Sequence, residues 1–188
     1  MISSRFFKEV FFDETYRAVR DLGKKPVAID VGATTGEFSL WASQQFETIY
    51  AIEPVIDLFN YLKENTGDFP QIKVFNLALG DKNRSGYMVD SSIGASRLLE
   101  DESVTDCLTE VQTLATFMQK NNIEFVDCLK IDIEDGEKQV FESEDFKDVA
   151  EKIGFIIGEH VPHLVSGLLK SLGFHEFENE GGHFYKRP

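Results

Sequence analysis

The chain has 188 residues, 42% of them hydrophobic, and a formal net charge of −14 from 33 acidic against 19 basic side chains. That length suits one domain around one substantial core, read as residues 1–188 with an N-terminal helix in 1–25 and an α/β core over 26–188. The acidic balance disfavours a nucleic-acid or anionic-membrane partner, since both need a basic face, and no apolar run reaches the roughly 20 residues of a membrane helix.

Two cysteines, Cys107 and Cys128, stand without CxxC or metal-like spacing, and the charged N-terminus shows no secretory pattern. Reduced thiols and a cytoplasmic location are expected. Residues 4–22 repeat apolar side chains near one helical face, with Phe7, Val10, Phe11, Ala18, Val19 and Leu22 on it and Gly23 ending it. Residues 27–31 form a short apolar strand. A helix follows over 36–46, then a second strand over 48–52. Pro54 suits the first turn of a helix running to about residue 65. The third strand is 72–76. Residues 85–89 suggest a small hairpin outside the repeat, 91–102 a loop, 104–111 an edge strand and 113–121 a helix.

The fourth strand is 125–131, with a helix over 137–141, and the fifth is 153–157, with a helix over 161–172. Residues 174–178 and 183–186 face each other across Glu180-Gly181-Gly182, a hairpin signal. Strands alternating with helices imply a doubly wound, mostly parallel sheet, and the closing hairpin makes its last strand antiparallel.

Val27 to Glu53 is the most informative stretch: strand, glycine turn, helix, and a second strand that stops on an acid. Glycine permits φ > 0 and close approach of a ligand to the main chain, and a strand-end carboxylate can accept two hydrogen bonds from a ribose diol. In such a sheet ligands bind at the carboxyl ends of the strands. The residues there are Asp30, Glu53, Ala78 to Asp81, Asp132, and Glu159 with His160. The glycines follow GxxxG (Gly32, Gly36) rather than the GxGxxG of nicotinamide cofactors, and no Tyr-xxx-Lys pair is present. A pyrophosphate would be repelled by Asp30 and Glu53. A sulfonium donor would be attracted, because opposite charges about 4 Å apart gain a few kcal/mol at an effective dielectric near 20.

The segments AIDVGATTGEFSL, IYAIEPV, NLALGD, TLATFM, LKIDIEDGEKQVF, IIGEH and LLKSLGF occur in that order between Val27 and Phe174. In this ordered set the chain resembles the FkbM family of S-adenosylmethionine-dependent methyltransferases. The resemblance implies a seven-stranded, Rossmann-like methyltransferase sheet and O-methylation of a hydroxyl on a small molecule such as a sugar or polyketide. The chain departs from the family at Thr34, where an Asn is usual, and at Asp135, where the usual glycine arrives one place later as Gly136.

The cofactor-binding candidates are Asp30, Gly32, Ala33, Thr34, Gly36, Glu53, Pro54, Ala78, Ser96 and Asp132. Asp30 steers the methionine amino group, the glycines let the turn pass the methionyl portion, Glu53 accepts the ribose diol, Pro54 packs on the adenosine, Ala78 lines the adenine and Ser96 reaches in from its loop. The catalytic candidates are Asp132, Glu159 and His160. An imidazole with a pKa near 6.5 suits removal of a hydroxyl proton near neutral pH, with Asp132 as the fallback. Lys130, on the strand face of Asp132, either neutralises an acid or meets the substrate. Glu137 is read as structural. His175 and His183, on the terminal strands, are not catalytic in this reading. A divalent ion near Asp132, Glu159 and His160 is the less favoured alternative, since magnesium prefers an all-oxygen set. A nicotinamide-dependent oxidoreductase and a non-catalytic adenosine-binding protein are the competing functions, and oligomeric state is left open.

Overall fold

The structure is a computed structural model that describes residues 25–90, 96–99, 107–133, 136–158, 163–179 and 182–188. The expected N-terminal helix, and Glu159 and His160, lie outside those residues. In chain order the elements are β1 (Lys25–Val31), α1 (Glu37–Ala42), β2 (Phe46–Ile52), α2 (Ile56–Thr66), β3 (Ile72–Phe75), β4 (Ala78–Leu79), β5 (Arg84–Asp90), β6 (Ser96–Leu99), β7 (Cys107–Gln112), α3 (Leu114–Lys120), β8 (Cys128–Ile131), α4 (Glu137–Phe141), α5 (Phe146–Ala150), β9 (Phe155–Gly158), α6 (His163–Ser171), β10 (His175–Asn179) and β11 (Gly182–Lys186).

Seven strands make one sheet in the order β10-β11-β9-β8-β1-β2-β3. The pairs β1/β2, β2/β3, β1/β8 and β8/β9 are parallel. β11 is antiparallel to both β9 and β10, so the last strand alone runs against the other six. The strand order reverses beside β1, which pairs with β2 on one side and β8 on the other. At such a switch point the loops leaving the strands diverge and open a crevice at their carboxyl ends.

The period of two along each strand divides the core between the two faces of the sheet. Ile29, Val31, Tyr50, Ile52, Leu129 and Ile131 pack with the side chains of α3, α4, α5 and α6, among them Leu114, Phe117, Val140, Phe141, Phe146, Val149, Val165 and Leu169. Ala28, Ile49, Ala51 and Cys128 face the other way, against Phe38 and Ala42 of α1 and Leu62 of α2. Helices therefore cover both faces, as strand-helix alternation requires. Tyr50, Phe75 and Phe117 meet as one aromatic cluster, with the Phe117 ring edge-on to the other two at centroid distances of 6.0 and 5.1 Å.

Three expectations are corrected, and one helix was not anticipated. First, α1 ends at Ala42 rather than near residue 46, because Phe46 is already paired with Lys25 in the sheet. Second, Pro54 precedes α2, whose N-cap is Val55 in an extended conformation. Third, the stretch expected as a loop contains β6, and the stretch expected as an edge strand becomes β7, which is interior to a second, four-stranded sheet ordered β4-β7-β5-β6. The unanticipated helix, α5, lies in an acid-rich stretch that carries only three buried anchors, Phe146, Val149 and Ala150, too few for a period to stand out.

Candidate active site

β1 delivers the chain to the turn 32–36. Gly32 has φ 77° and Gly36 φ 99°, values that L side chains rarely adopt. Space enforces the same choice. A Cβ at Gly32 would lie 2.0 Å from the Asp132 carbonyl oxygen, and one at Gly36 would lie 2.9 Å from Leu62 Cδ1. The turn is thus wedged between the end of β8 and the side of α2. The Gly32 and Ala33 N–H groups both donate to the Ile52 carbonyl at 3.0 Å. Thr34, a β-branched residue, takes φ 50°, a strained conformation for its type. Its N–H donates to Glu53 Oε2 at 2.9 Å and its hydroxyl to Glu37 Oε2 at 3.3 Å, while the Thr35 hydroxyl donates to Glu37 Oε1 at 2.6 Å.

Glu53 directly follows β2, with a side chain that is almost fully buried. Its Oε1 accepts from the Val55 N–H at 2.9 Å and its Oε2 from the Thr34 N–H. Behind it, Asn76 Nδ2 donates to the carbonyls of Glu53 and Pro54, each at 3.0 Å, and the Glu53 N–H donates to the Phe75 carbonyl at 3.0 Å. Burial pushes the Glu53 carboxyl up to about 7. The Val55 and Thr34 N–H groups and the Lys130 charge pull against that rise, and the Asp30 charge adds to it.

A second cluster lies between β1 and β8. Asp30 is closed off from solvent. Its Oδ2 accepts from the Ser39 hydroxyl at 2.6 Å, and Lys130 Nζ stands 3.1 Å from its Oδ1. The same ammonium donates to the Gly32 carbonyl at 2.9 Å and lies 3.9 Å from Asp132 Oδ2. Asp132 is the member of the cluster that reaches outward, with its side chain 26% exposed. Lys130 thus offsets part of the negative charge at the strand ends, the neutralising role that was one of the two expected of it. The expectation that Asp30 steers a ligand meets a side chain already occupied by Ser39 and Lys130.

The other candidates divide by position. Ala33 is buried in the turn, and Pro54 stands at the exit of β2, half-buried. Ala78 is buried in β4, where it pairs with Val111. Asp81 is engaged by Arg84 Nη2 at 3.2 Å. Glu137 is buried, and its Oε1 accepts from the Ile133 N–H at 2.9 Å, closing the turn from β8 into α4. Ser96 begins β6 and pairs with Asp90, its side chain lying outside the described residues. Among the described residues no three His, Cys, Asp or Glu side chains are grouped to hold a metal ion. Reasoning from sequence did not single out Asn76 or Ser39. Asn76 directly follows the third strand, and that position was the available signal.

A domain described as methyltransferase FkbM domain matches residues 30–177. The chain belongs to the FkbM methyltransferase family. Its match opens on Asp30 and spans the turn, Glu53, Lys130 and Asp132. Three solved structures show the same fold. They are a methyltransferase FkbM from Methylobacillus flagellatus KT (15% identity, TM-score 0.58, over 87% of this chain and 43% of that one), the N-methyltransferase NodS from Bradyrhizobium japonicum WM9 (9% identity, TM-score 0.58, over 100% of both), and M. capricolum TrmK in complex with S-adenosyl-homocysteine (12% identity, TM-score 0.53, over 99% and 67%). This FkbM chain thus spans under half the length of the first of them. No curated protein matches it. Among the described residues no helix is long and apolar enough to cross a membrane.

Proposed function

We propose that the chain transfers a methyl group from S-adenosylmethionine to a hydroxyl of a small molecule, and that Glu53 holds the ribose diol of that donor. The observation that carries this reading is the state of the Glu53 carboxylate. Each oxygen accepts one backbone N–H, and a carboxylate oxygen has a second lone pair. Two acceptor sites therefore remain on a carboxylate already fixed by the turn and by the start of α2. A pair of vicinal hydroxyl donors fits that arrangement.

The bound donor supplies an electrophilic methyl on a sulfonium. The protein's part is to orient the partners, which can contribute several kcal/mol or more, and to take the proton of the acceptor hydroxyl. Asp132, the outward-reaching carboxylate beside Lys130, is one candidate for that proton. His160 is the other. An Asp132→Asn variant that keeps the parent's turnover across pH would leave the role to His160.

Calorimetry with S-adenosylhomocysteine and with NADH tests the reading. The parent should bind the first and ignore the second, and Glu53→Ala should bind the first about tenfold to a hundredfold more weakly, the loss expected for a hydrogen-bonded charge. A parent that binds only NADH would move the chain to the oxidoreductases.

A further inference from the structure

We propose that Lys130 is a positioning residue for the methionyl end of the cofactor, acting through the Gly32 carbonyl and Asp132 rather than on the acceptor. The inference rests on the S-adenosylmethionine reading of the site. A lysine in the middle of a sheet interior is costly unless paired. Lys130 is 6% exposed, and its ammonium has placed partners on three segments. Asp30 lies in β1, Gly32 opens the turn, and Asp132 follows β8. The Asp30 contact alone would account for a buried ion pair. The Gly32 contact does something else, because it fixes the orientation of the peptide after Gly32, in a turn that already touches the Asp132 main chain. Asp132 shares the same ammonium at longer range. With Asp30 neutralising Lys130, the cluster keeps one net negative charge, on the carboxylate that faces out. That sign suits a donor bearing an ammonium and a sulfonium. Glu53 shares no hydrogen bond with these groups, being held by Thr34 and Val55, and feels the Lys130 and Asp30 charges only through space, so titrations at about pH 9, where its carboxyl is ionised in every variant, separate the nucleoside end from the methionyl end.

The separation gives the test. S-adenosylhomocysteine carries the amino-acid portion, whereas 5′-methylthioadenosine keeps the nucleoside and lacks it. Both are titrated into the parent, into Lys130→Met, and into a double variant, Asp30→Asn with Lys130→Met. The double variant removes both buried charges together and so leaves no stranded carboxylate if the single change fails to fold. In the folded variants S-adenosylhomocysteine should bind about tenfold more weakly or worse, because the Gly32 carbonyl and Asp132 lose the ammonium that holds them, while 5′-methylthioadenosine stays within about threefold of the parent. Parallel weakening of both ligands would mean a merely structural lysine and overturns the proposal, as does unchanged binding of both. A parent that binds neither ligand overturns the cofactor reading, and this inference with it.

Discussion

Glu53 gives the molecule a pH dependence whose sign is fixed. Its carboxyl moves from 4.5 to about 7 on folding. Below about pH 4.5 it is protonated in both states. Between there and about pH 7 the unfolded chain releases a proton that the folded chain keeps, so its contribution to stability falls as pH rises and levels off above. The total is on the order of 3 kcal/mol. Urea titrations of the parent and of Glu53→Gln at pH 5 and pH 8 should show the parent losing ground to the variant at the higher pH, and equal differences at both would count against the raised carboxyl. Ligand binding runs the other way. If Glu53 holds the ribose diol as proposed, the hydroxyls would donate to its ionised form, so S-adenosylhomocysteine should bind about tenfold more weakly at pH 6 than at pH 8. Thr34 carries a different cost. A β-branched side chain at φ 50° is strained, and Asn tolerates that region better. Thr34→Asn should stabilise by about 1 kcal/mol, a rise of roughly 2–4 °C in melting midpoint, with cofactor affinity kept, because the Thr34 contact to Glu53 is made by the backbone N–H.

At the scale of elements, the strand ends were legible because each follows an apolar run, and Gly32, Gly36 and Glu53 each serve a need that few residue types meet. Lys130 and Asn76 were harder to read. Their partners, Gly32 and Asp132 for one and the carbonyls of Glu53 and Pro54 for the other, become neighbours only when the parallel register of β8 on β1 and of β3 on β2 is set. The second sheet was missed for a related reason. β4 has two residues and β6 four, and pairing supplies what local pattern lacks. Helix α3 shows the reverse, since the Thr113 hydroxyl accepts from the Thr116 N–H at 3.1 Å and a Thr at an N-cap is a local signal. Gly32→Ala tests the wedge between turn and β8. The added methyl would meet the Asp132 carbonyl at 2.0 Å in a backbone region that disfavours it, costing at least about 2 kcal/mol. Thermal denaturation should report that loss, and an unchanged midpoint would contradict the close approach.

Over the whole molecule, the two faces of the sheet are packed independently, and the face bearing α3 holds more of the buried aromatic side chains. Phe117 is fully buried in that layer, against Tyr50 and Phe75. Phe117→Ala should cost about 3–5 kcal/mol, with cofactor affinity intact in whatever fraction remains folded, because Glu53 reaches this layer only through the backbone carbonyl of Phe75, which β3 holds in the sheet. A loss of affinity in the folded fraction would show that the aromatic layer and the site are coupled.

β1 is hydrogen-bonded along both edges, and its flanking strands β2 and β8 are themselves interior to the sheet. Backbone amides there should be the slowest in the chain to trade their protons for deuterium, while β10, β3 and the short strands of the smaller sheet trade theirs early. Loosening at the margins would then leave the turn 32–36 and the strand ends around it assembled, so a ligand that protects these slowest amides further would have to be opposing global unfolding rather than quieting a local breath.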